Sequence, residues 1–269
     1  MTLRQRARLI LILPLALLTV FTLLPFQLLG LVLVTPLARW VPYLFHRIIA
    51  FLFDVRIEIE GELSRSRPLM LVANHVSWLD IIVLSAVAPV SFIAKAEMRT
   101  WPLFGQLAWL QRTIFVRREQ RRQSANQANE IAERLSAHDI IVLFPEGTTT
   151  DGHQLAPFKT TLFEAARLAV QSSDVEEAVV QPVALVYDRI HGLPMGRLWR
   201  QHVAWPGAVG LGEHFLPLIA TGALNVRVIM GDPIMLKAES KRKIVSARCV
   251  EAIRTMSRRP PLDSAVGER

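Results

Sequence analysis

The sequence predicts an α/β fold entered through a membrane-embedded helical hairpin, and three observations predict it. From Val55 to Met256, short apolar runs of strand length alternate with stretches of helix length, the pattern of a sheet with helices packed against it. Ahead of them, Leu9 to Ala38 is a run of thirty residues without a charge, longer than the ~20 apolar residues a helix needs to cross a bilayer core. Two polar motifs follow apolar runs directly, at the strand ends where α/β sheets bind their ligands.

Composition narrows the partners. Hydrophobic residues make up 51% of the chain and mean hydropathy is +0.31, high for a fully soluble protein, so part of the surplus should face lipid. A net charge of +8 and a pI near 10.5 favour anions: lipid headgroups, phosphorylated or acidic donors, or nucleic acid. The single cysteine, Cys249, excludes an internal disulfide and any multi-cysteine metal site, and fits a reducing compartment. With 269 residues there is material for one large domain and an appendage.

Residues 1–53 form the membrane segment. Pro14, Pro25 and Pro36 punctuate the uncharged run, which is too long for a cleaved signal peptide and lacks a small-residue cleavage site. Arg4, Arg6 and Arg8 precede it and Arg39 and Arg47 follow, so the positive-inside rule pulls both ends toward the cytoplasm. A helix bent near Pro25, dipping into one leaflet and returning, satisfies both ends. Val41 to Phe53 then reads as a second helix suited to lie along the interface.

Residues 54–256 form the α/β domain. Val55, Ile57 and Ile59 alternate with Arg56, Glu58 and Glu60, the period of a half-exposed strand. Further strands are expected at Leu69–Val72, Val90–Ala94, Thr113–Val116, Ile140–Phe144, Val179–Tyr187 and Leu224–Met230. Helices are expected at Ile81–Val87, at Met98–Leu110 with a Trp/Pro interruption, at Thr160–Val170 and at Lys241–Met256. Arg121–Ala137 places Ser124, Ala128, Ile131 and Leu135 on one face of another. Residues 257–269, with Arg258, Arg259, Pro260 and Pro261, read as a mobile tail.

Dinucleotide, nucleotide-triphosphate, zinc-protease and α/β-hydrolase signatures are missing from the sequence. The chemistry must come from two other stretches. In ANHVSWLD, Ala73 to Asp80, a buried strand ends in a turn that carries His75, and a helix begins with Asp80 on its first turn. From there the carboxylate can reach back to the imidazole, a general base held by an orienting acid. Seven His and eight Asp would supply about 0.2 such His-x4-Asp pairs by chance, so the pair needs support. Asn74 and Ser77 provide turn and capping chemistry around it. In FPEGTTTDG, Phe144 to Gly152, a strongly apolar strand ends in a proline, a carboxylate, a glycine and three hydroxyls.

Together the motifs resemble the glycerolipid acyltransferases of the 1-acyl-sn-glycerol-3-phosphate acyltransferase family. Asn74, His75, Ser77 and Asp80 match its NHxSxxD block, and Ile114, Phe115, Val116 and Arg118 match a strand ending in arginine. Phe144, Pro145, Glu146, Gly147 and Thr148 match its FPEGT block, and Gln181, Pro182 and Val183 resemble its Pro-Val block. The family's arginine after FPEGT, associated with the phosphate of the lipid acceptor, is replaced here by Thr149. FPEGTT versions, with the passages SFIAKAEMRTWPLFG and HGLPMGR, resemble the branch containing bacterial lyso-ornithine-lipid acyltransferases.

The resemblance implies a mixed central sheet flanked by helices, and transfer of a fatty acyl group from acyl-CoA or an acyl carrier protein to a lysolipid hydroxyl. It places the protein in a bacterial-type inner membrane with the catalytic domain on the cytoplasmic face. His75 and Asp80 are the expected catalytic pair. Arg118, Glu146, Gly147, Thr148, Thr149 and Lys159 are the expected acceptor-binding residues, with Asn74 and Ser77 supporting the turn. Ser77 is the alternative nucleophile should an acyl-enzyme form. No metal or cofactor is called for, since the thioester is a co-substrate. The acceptor taken first is 1-acyl-sn-glycerol-3-phosphate, giving phosphatidic acid; the alternative is lyso-ornithine lipid. A membrane-tethered nucleic-acid-binding protein using Arg117, Arg118, Arg121 and Arg122 would explain the charge but leaves both motifs idle, and no nucleic acid is expected. The expected partners are the lysolipid, the acyl donor and an anionic membrane.

Overall fold

The computed structural model describes the chain apart from residues 117–123, 164–166, 168–169, 171–176, 207–209, 238 and 261–269. It opens with two long helices, α1 (Leu3–Val32) and α2 (Leu37–Leu52), packed as a hairpin. Helix α1 runs through both Pro14 and Pro25, so the bend expected near Pro25 lies instead at residues 33–36. The reason is local. Pro25 sits among good helix formers (Leu23, Leu24, Gln27, Leu28), whereas Pro36 follows β-branched Val32, Val34 and Thr35 and disfavours helix in the residue before it. Val34 turns left-handed at φ 50, and the Thr35 N–H donates to the Gly30 carbonyl at 3.0 Å to close the helix end.

Helix α1 is long and apolar enough to cross a membrane, and only 6% of its most apolar stretch is buried. Both of its ends nevertheless touch the domain. Arg8 donates to the carbonyls of Ile219 (3.0 Å) and Phe53 (3.1 Å), and Gln27, nineteen positions on, donates to the carbonyl of Leu110. On α2, Arg39 pairs with buried Asp139 at 2.8 Å, alongside Arg112 and Arg134 of the domain.

The domain is built on β1 (Val55–Glu60), β2 (Leu69–Ala73), β3 (Val90–Lys95), β4 (Ile114–Val116), β5 (Ile140–Leu143), β6 (Glu177–Ile190), β7 (Leu193–Pro194), β8 (Leu224–Met230) and β9 (Ile234–Lys237). They pair in the order β1-β8-β6-β2-β5-β3-β4, with β7 and β9 both on β6. From β6 to β4 the neighbours run parallel, β6 and β8 run antiparallel, and β8 and β1 are parallel again. The sheet is therefore mixed. Central strands β2 and β5 are buried at every position, which explains why they read as unbroken apolar runs rather than as alternation.

Helices cover both faces. The hairpin, α3 (Leu79–Val87) and α7 (Leu211–Thr221) bury one core, and α5 (Ser124–Ser136) and α8 (Arg242–Ser257) bury the other. The interrupted helix expected over Met98–Leu110 is a 3₁₀ turn, Ala96–Thr100, followed by α4 (Phe104–Leu110). Of the helix expected over Thr160–Val170, Thr160–Phe163 is a 3₁₀ turn and most of the remainder falls outside the described residues. Helix α6 (Arg197–Val203), α7, β7 and β9 have no counterpart in the sequence reading, because Pro194, Gly196, Pro206, Gly210, Gly212 and Pro217 break any periodicity around the first three and β9 is only four residues long behind Gly231 and Pro233. Most of the expected tail lies outside the described residues, but its first part is held: the buried Arg227 guanidinium donates to the carbonyls of Arg259 (2.7 Å) and Pro260 (3.3 Å).

Candidate active site

Strand β2 ends at Ala73, and the chain continues its pairing through a side chain. The Asn74 amide donates to the Leu185 carbonyl (3.0 Å) and accepts from the Leu185 N–H (2.8 Å), so the β6 backbone stays satisfied where its neighbour has turned away. This fixes the point at which His75 leaves the sheet. The FPEGTTTDG loop, arriving from parallel β5, holds the His75 backbone from both sides. The His75 N–H donates to Glu146 Oε1 (2.8 Å), and the His75 carbonyl accepts from the Thr150 N–H (2.9 Å). The imidazole stacks on Phe144 with centroids 4.0 Å apart and planes 15° from parallel.

Asp80 is fully buried on the first turn of α3. Its Oδ2 accepts from His75 Nδ1 at 2.8 Å and from the N–H groups of Val76 (2.7 Å) and Ser77 (3.0 Å); its Oδ1 accepts from the Tyr187 hydroxyl at 2.6 Å. Four donors on one carboxylate lock its orientation. Burial pushes the Tyr187 phenol well above its ordinary range, and the Asp80 charge pushes it further, so it stays a donor. With Nδ1–H committed to Asp80, the Nε2 lone pair of His75 is the free basic position, on a ring 18% exposed.

The sequence-derived residues fall into distinct places. Glu146 is 3% exposed and carries a backbone N–H on each oxygen, His75 on one and Ala156 (2.7 Å) on the other. Burial raises its pKa, and those two hydrogen bonds oppose the shift. Its geometry is that of a positioning residue beneath the histidine. Gly147 adopts φ +74, and its N–H donates to Phe144 (3.1 Å), closing the turn that leaves Thr148 exposed at the tip. The Thr149 hydroxyl donates to the Trp205 carbonyl. Lys159 is exposed and joins the motif through its backbone, donating to Pro145 at 2.8 Å. The Ser77 hydroxyl is buried with no partner among the described residues. Arg118, like Arg117, Arg121 and Arg122, lies outside the described residues.

Tyr187 and Trp205 were missed. Neither lies in a motif, and their distance in sequence from Asp80 and Thr149 removes any local signal. A hydroxyl-bearing aromatic on a buried strand was the one available clue.

A family model described as Acyltransferase matches residues 54–186, which hold both motifs. A lyso-ornithine lipid O-acyltransferase of Brucella abortus is 49% identical over 235 residues, 87% of this chain and 88% of that protein. The chain belongs to the acyltransferase family. A 1-acyl-sn-glycerol-3-phosphate acyltransferase of Neisseria gonorrhoeae is 39% identical over a shorter stretch, 42% of this chain and 45% of that protein. The crystal structure of the 1-acyl-sn-glycerophosphate acyltransferase PlsC from Thermotoga maritima superposes with a TM-score of 0.60 at 22% identity, covering 96% of this chain and all of that one. This acyltransferase thus shares the mixed α/β architecture of a solved relative, and it is of glycerolipid type.

Proposed function

We propose that this acyltransferase moves a fatty acyl group from an acyl thioester to the free hydroxyl of lyso-ornithine lipid. The observation that carries the acceptor is extent of similarity: the lyso-ornithine lipid enzyme aligns over 87% of the chain, against 42% for the glycerophosphate enzyme. Thr149 supports it, since the position where the resemblance expects an arginine for phosphate instead bonds a backbone carbonyl. The acceptor first expected from the motifs, 1-acyl-sn-glycerol-3-phosphate, becomes the second reading.

His75 Nε2 takes the acceptor hydroxyl proton as the oxygen attacks the thioester carbonyl. Asp80 holds the ring in the tautomer that leaves Nε2 free and stabilises the imidazolium that forms. That attack forms the C–O bond; collapse of the tetrahedral intermediate restores the carbonyl and breaks the C–S bond, and the imidazolium gives its proton to the departing thiolate. The donor, acyl-CoA or acyl carrier protein, is a co-substrate, and the step calls for no cofactor. The exposed turn at Thr148 is where the substrates meet the dyad, with a backbone N–H for the developing oxyanion. Direct transfer is favoured over an acyl-enzyme on Ser77, whose hydroxyl is sealed in the interior.

Sidedness and membrane mode belong to the same proposal. Because Arg8 and Gln27 of one helix both bond the domain, α1 lies along the domain with its apolar face in one leaflet; Arg4, Arg6, Arg8, Arg39 and Arg47 around the uncharged run favour the cytoplasmic side for both ends. The decisive assay offers the purified protein lyso-ornithine lipid and lysophosphatidic acid side by side with an acyl thioester, and includes His75→Ala. Lyso-ornithine lipid should be the preferred acceptor. The variant should stay folded and lose about 10² to 10⁴ in rate. Preference for lysophosphatidic acid would reverse the acceptor assignment, and near wild-type turnover by the variant would remove the mechanism.

A further inference from the structure

Beside the dyad, at the carboxyl end of β2, lies a cavity of about 540 Å³. Asn74 and Val76, the neighbours of His75, form one wall together with Thr150 and Tyr187, which bond His75 and Asp80. The rest of the lining is mixed, and three arginines stand out in it. These are Arg200 of α6 and Arg254 and Arg258 at the end of α8, with no carboxylate among the lining residues. Arg254 is shared with exposed Glu251 at 3.2 Å.

Arg200 is unusual within this group. Its Nη1 reaches the Gly152 carbonyl at 3.4 Å, while its Nε is buried without an acceptor among the described residues. A buried guanidinium N–H with no acceptor is costly, and an oxyanion relieves that cost best because it can take two N–H bonds at once. The fold also holds this side chain in place. Gly152, at φ +72, packs so that an added Cβ would stand 3.0 Å from Val76 Cγ1 and 3.6 Å from Arg200 Cδ. Just beyond α6, Trp205 is bonded on both sides: its N–H to Val76 (2.9 Å) and its carbonyl to the Thr149 hydroxyl. Helix α6 is thereby docked on the two motifs, and its arginine faces the cavity.

We propose that Arg200, with Arg254 and Arg258 at the rim, binds the oxyanion of the acceptor headgroup, a carboxylate or a phosphate, and so sets which lysolipid is held with its hydroxyl at His75. The inference rests on the acyl-transfer reading of the dyad. It assigns Thr149 an indirect part, since its hydroxyl anchors the segment that carries Arg200.

Binding measured without turnover tests this. In a His75→Ala background, the affinity of the full-length protein for lyso-ornithine lipid and for lysophosphatidic acid in detergent micelles is compared with and without Arg200→Gln. Loss of a charge-assisted pair should weaken the bound acceptor roughly 10- to 100-fold, leave acyl-CoA affinity unchanged and be partly restored by Arg200→Lys. Arg258→Glu, at an exposed position that does not endanger folding, should weaken the acceptor several-fold. Unchanged acceptor affinity in both variants, or a loss confined to acyl-CoA, overturns the proposal. Tighter binding of lysophosphatidic acid than of lyso-ornithine lipid, with the Arg200 effect intact, would overturn the acceptor assignment and leave the pocket standing.

Discussion

At the scale of single residues, the site is a carboxylate with four donors and a histidine fixed at ring and backbone alike. Tyr187 tests how much of this the chemistry uses. Tyr187→Phe keeps the ring packing and deletes only the donor to Asp80 Oδ1, a bond between two fully or nearly buried groups. The orphaned oxygen should cost about 1–3 kcal/mol of stability, read by denaturant unfolding. Turnover should fall while the acceptor KM holds, because the deleted hydroxyl is committed to Asp80 and the ring that lines the acceptor cavity is kept. A variant with unaltered kcat would mean that the three donors on Oδ2 suffice to orient the dyad.

At the scale of elements, the entry to α3 is tied to α7 by a hydrogen bond that depends on protonation. The Trp78 indole N–H donates to His214 Nδ1 at 3.0 Å, and His214 Nε2 donates to the Ala204 carbonyl at 3.1 Å. Burial lowers the His214 pKa below its ordinary 6.5, partly opposed by the bond to Ala204. A histidine whose folded pKa is depressed binds fewer protons folded than unfolded. Its contribution is therefore complete above pH 6.5 and is lost as pH falls through the folded value. Protonation would put a hydrogen on the nitrogen that accepts from Trp78. Urea midpoints taken from pH 7.5 down to 5.5 should fall more steeply for wild type than for His214→Gln, and parallel curves would show that the pair does not couple to pH.

At the scale of the whole molecule, the hairpin carries the one helix among the described residues that is long and apolar enough to cross a membrane. Helix α1 presents exposed Ile10, Leu17, Leu18, Phe21 and Leu29 along a length whose two ends both bond the domain. A helix standing across the bilayer could not keep both contacts without drawing the domain into lipid. With buried Cys249 replaced by serine, single cysteines at exposed Thr2 and Val34 should react with an impermeant maleimide from the same membrane face. Labelling from opposite faces would make α1 a true span and displace the in-plane reading.

Much was legible in the sequence because its causes are local. Thirty uncharged residues read as one long apolar helix, which is what forms, buried parallel strands must read as apolar runs, and five positions from turn to first helical turn let Asp80 reach His75. Other features depend on contacts between distant segments. Glu146 looks like a substrate ligand in FPEGT, yet the parallel pairing of β2 with β5 places it under the His75 N–H. Thr149 looks like a missing arginine, yet its hydroxyl fastens a segment more than fifty residues away. Tyr187 joins the dyad only because β6 lies beside β2, and Arg200 comes from a glycine- and proline-broken stretch with no readable period. The sequence alone therefore determined the family and the fold class, because the motifs and apolar runs that carry them are contiguous stretches of chain. The tertiary structure decided what holds that pair and where an acceptor's charge can sit, because strand order brings together residues that share no local pattern.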